Sequence, residues 1–122
     1  MTRAYRDFLA DILVHAQDAI GCVQGLTVEE VAADRLRRLA LERCFEIIGE
    51  AAGKLPPEMR ARYPELPWAE MIAVRNRVAH ACFAVELAIL YRTASDLLPP
   101  LVPVLKRMLD EVTAAETGSA QD

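Results

Sequence analysis

The chain has 122 residues, of which 53% are apolar and 26% charged, with only five glycines and seven prolines. That is the make-up of one compact domain and excludes disorder for the bulk of it. A formal net charge of -4 argues against a general nucleic-acid coat protein, whose affinity would come from a large positive excess. No run approaches the roughly 18 uncharged apolar residues of a membrane span, and the N-terminal residues lead into an amphipathic pattern without an h-region, so a cytoplasmic protein without membrane contact is expected. Cys22, Cys44 and Cys82 show no C-x-x-C pair and are odd in number. They suggest buried thiols rather than a disulfide framework or a zinc site.

The dominant period is helical, and no stretch alternates long enough to suggest a strand. Tyr5, Leu9, Ile12, Ala16, Ile20 and Val23 recur three and four apart, which predicts a first helix over about Arg3 to Gln24, stopped by Gly25. Thr27 and Glu30 have capping-box spacing, and Asp34 is placed to cap a restart. Arg35 to Ala52 then reads as the central helix, with Leu36, Ala40, Cys44 or Phe45, Ile48, Ala51 and Leu55 inward and Arg37, Arg38 and Glu42 outward. Gly49 inside it costs about 1 kcal/mol against alanine, which a close helix approach would compensate.

Pro56 and Pro57 end that helix and open a short one reaching about Tyr63. Pro67 starts a helix from Trp68 to about Ala81. Val85 to Leu98 forms another, through Leu87, Leu90, Tyr91, Ala94 and Leu97. After Pro99 and Pro100 a last helix is expected to reach Val112, leaving 113–122 as a polar, disordered tail behind a single domain over 1–112. The fold class is all-α, an up-and-down bundle of four to five helices, a shape that many unrelated activities share.

Charge is not evenly spread. Between Arg35 and Arg77 nine basic residues face six acidic ones, a local +3 against -7 for the remainder, so the middle of the chain could meet a polyanion. Within it, the stretch 71–83 places Arg75, Asn76, Arg77 and His80 on an otherwise apolar helix, and Asn76 is the chain's sole asparagine. At about 100° per residue, Asn76, Arg77 and His80 share a face, while Arg75 lies about 140° from His80. Arg75 reaches the neighbourhood of His80 only through its long side chain, a helix distortion near the C-terminal end, or a second subunit, and a dimer would cure the mismatch.

Imidazole exchanges a proton near neutral pH, and guanidinium grips phosphate with two parallel hydrogen bonds. The pair suits phosphodiester cleavage without a metal, and no carboxylate or His cluster nearby suggests a metal site or other cofactor. The bland readings are a structural His80 near a helix end and a solvated Arg77. Glu46 and Glu50 read as a structural pair, one neutralised by Arg43 and Glu50 bracing an Arg of the motif helix. His15 reads as a solvent-facing or edge residue, and Trp68 and Phe83 as core anchors.

The segment from Arg75 to His80 resembles the Arg-polar-His signature of HEPN domains. The wider chain, through the stretch Arg43 to Ala51 containing Ile-Gly-Glu-Ala, the Pro67-Trp68 start and Asp96 to Leu101, resembles the HepT-like toxins of that superfamily from about Arg3 to Val112. The resemblance implies a HEPN-like bundle that dimerises across a cleft, a metal-independent endoribonuclease toxin of a type II/VII-like toxin-antitoxin pair. It places Arg75 and His80 on the catalytic pair, Asn76 on the orienting polar position, and Arg77 as a candidate RNA phosphate contact. The implied partners are a second copy, RNA, and a minimal nucleotidyltransferase antitoxin (MntA-like). The family's AMP-modified Tyr, two residues after the His, is Cys82 here, and a thiol cannot form the same phenolic ester. That departure supports an alternative, a catalytically silent helical partner of a nucleotidyltransferase. A third reading, a small-ligand-binding bundle, predicts a deep pocket within one subunit.

Overall fold

A computed structural model describes residues 4–80 and 83–121, with side-chain surroundings described outside 76–80, 83–85 and 119–121. Helix α1, Tyr5–Val23, buries Leu9, Ile12, Ala16, Ala19 and Val23, the stripe that its three-and-four spacing requires. It ends at Gln24, and Gly25 turns the chain with a φ of 77°, a conformation that side-chain-bearing residues resist. Thr27 then accepts from the Glu30 amide while Glu30 accepts from the Thr27 amide, the reciprocal pair that opens α2, Val28–Ala33. Asp34 breaks the helix and caps α3, Arg35–Gly53, accepting from the Arg37 amide at 3.1 Å.

The inner face of α3 differs from expectation at its first turns. Leu41, Cys44, Phe45, Ile48, Ala51 and Ala52 are buried, but Leu36 is 75% exposed and Ala40 is exposed as well. Arg37 explains the rotation. Its guanidinium donates to the carbonyls of Gly21 and Cys22 at the end of α1, at 3.4 and 3.2 Å, where the helix dipole favours a cation. That bond turns the Arg37 side toward α1 and leaves Leu36, about 100° round the helix, facing away.

Pro57–Ala61 forms the short α4, and Trp68–His80 forms α5. Trp68 is a core anchor, as expected, with its indole donating to the Tyr63 carbonyl at 3.0 Å. Helix α6, Phe83–Arg92, passes into a π-helical stretch over Thr93–Leu97, closed by the Leu98 amide donating to the Thr93 carbonyl at 2.9 Å. The wider turn moves the inward position one residue along, so Leu98 is buried and Leu97, expected inward, is 56% exposed. A single 3-10 turn at Pro99–Leu101 leads into α7, Val102–Gln121, which runs past Val112, so the polar residues 113–121 continue the helix.

Five longer helices and two short ones make up the described residues, and no strand is among them. Helix α1 lies against α3 and α7, and α3 against α5, so α3 stands between α1 and α5. The core is apolar throughout the described residues, with no buried charged residue in it. No helix there is long and apolar enough to cross a membrane.

Candidate functional site

The basic stretch singled out in the sequence sits on α5. Its first turns are set by Pro67, whose carbonyl accepts from the Met71 amide at 2.9 Å, and by Trp68, Met71 and Val74 buried on the inner face. Arg75 follows on the exposed side.

Its position is held by Gly49 of α3. A Cβ built on Gly49 would lie 2.8 Å from the Met71 carbonyl oxygen and 2.9 Å from the Arg75 Cβ, so α3 and α5 touch almost backbone to backbone at this point. The helix approach expected from Gly49 is therefore present, and it fixes the start of the Arg75 side chain. Beyond that, Arg75 makes no hydrogen bond or ion pair with the described residues. Asn76, Arg77 and His80 belong to the same helix by backbone, but their side chains fall outside the described ones, and Cys82 falls outside the described residues.

The acidic pair of α3 separates. Arg43 pairs with Glu46 at 3.1 Å, as the spacing suggests. Glu50 is exposed and forms no bond to Arg75 among the described residues; a brace to Arg77, the other Arg of the helix, lies outside the described side chains.

Glu50 instead lines a cavity of about 280 Å³ between α1 and α3. From α1 come Phe8, Asp11 and His15; from α3 come Arg43, Ile47, Glu50, Ala51 and Lys54. His15, expected as a solvent-facing or edge residue, is half-buried at this cavity. Its Nδ1 lies 2.7 Å from the Asp11 carbonyl oxygen. A carbonyl can only accept, so Nδ1 carries a proton and donates. The signal was present in the sequence, since Arg43, Ile47, Glu50 and Lys54 fall four, three and four apart, and Asp11 and His15 four apart. That periodicity describes a second face of α3, polar at its edges, which a search for one apolar stripe passes over.

Of the thiols, Cys44 is buried and burial pushes it up to about 11, while Cys22 is half-buried and raised for the same reason. Both are free and protonated at neutral pH, in line with structural rather than reactive roles. Among the described residues no three His, Cys, Asp or Glu side chains assemble as a metal-ligand set.

Among the described residues the chain is an all-α bundle, with Arg75 exposed on the helix that ends at His80. Residues 9–108 match the family described as "Ribonuclease HepT-like", and the chain belongs to that family. The curated relatives agree. "Probable ribonuclease HepT" of Thermococcus cleftensis is 33% identical over 105 residues, covering 83% of this chain and 92% of its own. "Putative RNase MJ1216" of Methanocaldococcus jannaschii is 28% identical over 117 residues, covering 96% and 97%. "Putative RNase TTE0752" of Caldanaerobacter subterraneus is 32% identical over 106 residues, covering 87% and 95%. No solved structure matches the chain.

Proposed function

We propose that the protein is the toxin of a type II/VII-like toxin-antitoxin pair, acting in the cytoplasm as a metal-independent endoribonuclease whose site is completed when two copies meet. The observation that carries this reading is Arg75, exposed and without a partner among the described residues, on the helix that ends at His80. A guanidinium with no carboxylate partner keeps its paired donors for a phosphodiester.

On one helix, positions 75 and 80 are about 140° apart around the axis and about 7.5 Å apart along it, so they fall on different faces. Two facing α5 helices would place the Arg of one copy beside the His of the other. In the reaction, His80 takes the proton of a ribose 2′-hydroxyl as that oxygen bonds to phosphorus. The bond from phosphorus to the 5′-oxygen breaks, and the leaving oxygen receives a proton from the His80 of the second copy. Arg75 holds the charge that develops on the non-bridging oxygens. Asn76 orients the pair and Arg77 meets a neighbouring phosphate.

The cognate partner in this reading is a minimal nucleotidyltransferase antitoxin. Cys82 in place of the family's Tyr favours a second reading, a silent helical partner of such an enzyme. Incubating RNA with the purified protein in EDTA, beside His80→Ala, decides between them. Cleavage by the wild type and its loss in the variant is the expected result, and equal cleavage or equal inertness in both overturns it.

A further inference from the structure

The cavity between α1 and α3 has no role in the reaction just described, and it gathers a carboxylate, a cation and an aromatic side chain at one opening. In the second cavity, beside α4 and α7, Tyr63 is engaged with Glu111 and Glu116 with Arg6, while Arg62 has no hydrogen bond or ion pair among the described residues. In the α1–α3 cavity, Glu50 and Lys54 have no partner among the described residues, and the His15 ring is held by Nδ1 donating to the Asp11 carbonyl. Acceptors, a cation and an aromatic side chain, Phe8, are thus gathered at one opening of about 280 Å³.

That combination matches one unpaired nucleotide. RNA is read with specificity where bases are splayed out, stacked on an aromatic ring and bonded along their edges. A carboxylate accepts from an exocyclic amino group and repels a carbonyl oxygen, while an ammonium or guanidinium takes the phosphate. The volume is close to the lower end of small-molecule sites, about 300 Å³, so it suits a single base rather than a helix of RNA. Glu50 is also the immediate neighbour of Gly49, the residue against which Arg75 is packed. Glu50 therefore lies about 100° round α3 from Gly49, at the edge of the cavity nearer Arg75, while the α3 residues of the lining together centre about 145° round.

We propose that the cavity holds one unpaired nucleotide flanking the cleaved bond, with Glu50 accepting from an amino-bearing base, Lys54 on its phosphate and Phe8 against its ring. The proposal rests on the ribonuclease reading above. It makes the cavity the determinant of which RNA position is cut, favouring adenine, cytosine or guanine there over uracil.

The test uses the full chain and a set of short single-stranded RNAs that differ only in the base on each side of the cut, with kcat and KM measured in EDTA. The wild type is expected to favour amino-bearing bases over uracil by about tenfold at one flanking position. Glu50→Gln, which keeps size but adds an amide donor, is expected to bring uracil to within about twofold of the others. Lys54→Ala should raise KM about tenfold for every substrate with kcat unchanged. Both positions are exposed, so neither change threatens folding, which far-UV circular dichroism checks.

If both variants keep the wild-type preference and KM while His80→Ala abolishes cleavage, the ribonuclease reading stands and the nucleotide site is overturned. If His80→Ala cleaves like the wild type, the ribonuclease reading falls and takes the nucleotide site with it. A change in the sedimenting mass of either variant would assign the cavity to contact between copies and overturn the proposal. So would saturable binding of free cytidine monophosphate that Glu50→Gln abolishes while the preference among RNAs is unaltered.

Discussion

Replacing Gly49 by alanine tests the join between the fold and the site. The new methyl would sit 2.8 Å from the Met71 carbonyl oxygen and 2.9 Å from the Arg75 Cβ. Carbon atoms pack at about 3.5–4.0 Å, so α5 must withdraw from α3 by roughly 0.6–1 Å. Neither obstacle can rotate aside, because one is backbone and the other is the first atom of a side chain. Overpacking of this kind costs about 1–3 kcal/mol, and alanine recovers about 1 kcal/mol through its better helix propensity. The net expectation is a loss of up to about 2 kcal/mol, or up to about 8 °C in Tm for a chain of this size, against the gain expected of an unobstructed glycine. Gly21→Ala is the matched control. It lies in α1 with nothing within 4 Å of its added Cβ, so the propensity gain should stand alone, at about 0.5–1 kcal/mol. Activity adds a second readout, since a displacement near 1 Å at the start of Arg75 is expected to lower kcat by about 10²-fold at temperatures where the protein is folded. Thermal unfolding by circular dichroism and RNA cleavage measure the two effects. A Gly49→Ala protein as stable as Gly21→Ala would refute the close approach, and one that melts early but cleaves at the wild-type rate would detach Arg75 from the chemistry.

The rotated face of α3 predicts that Leu36→Ala changes stability by no more than about 0.5 kcal/mol, whereas Leu41→Ala, fully buried, costs about 2–5 kcal/mol; urea midpoints of the two variants should separate accordingly. The Cys44 thiol supplies a pH dependence. Its folded value of about 11 lies above the ordinary 9.0, so the folded state holds the proton more tightly, and this contribution is complete below about pH 9 and lost as pH rises through 11. Urea titrations at neutral and alkaline pH should show a steeper alkaline decline for the wild type than for Cys44→Ala, and parallel declines would contradict it.

The elements whose limits depend on local chemistry were legible from the sequence. Gly25, the Thr27–Glu30 box, Asp34 and the prolines before α4 and α5 act within a few residues of themselves, and each does in space what its type suggests. The departures come where distant groups decide. Leu36 looks inward on a helical wheel, but the wheel does not contain the α1 carbonyls that draw Arg37 toward them. Leu97 matches an α-helical period, and only the π-helical turn closing at Leu98 hands its place to the next residue. The length of α7 escaped for a different reason: the polar residues after Val112 mark where burial ends, which is not where helical hydrogen bonding ends.

At the site, sequence pattern reached the helix and its glycine contact but not the second face of α3. One helix carries three different surfaces: Leu41, Cys44, Phe45 and Ile48 for the core, Gly49 for α5, and Arg43, Glu50 and Lys54 for the cavity. A helix with so little side chain to spare is stiff where Gly49 meets Met71, because both partners there are backbone or its first branch. Whatever occupies the Glu50 side therefore presses on the same rigid rod that positions Arg75. Substitutions in the nucleotide site should alter which RNA is cut before they alter how fast the bond breaks, and that order of effects separates a specificity surface from a support for the chemistry.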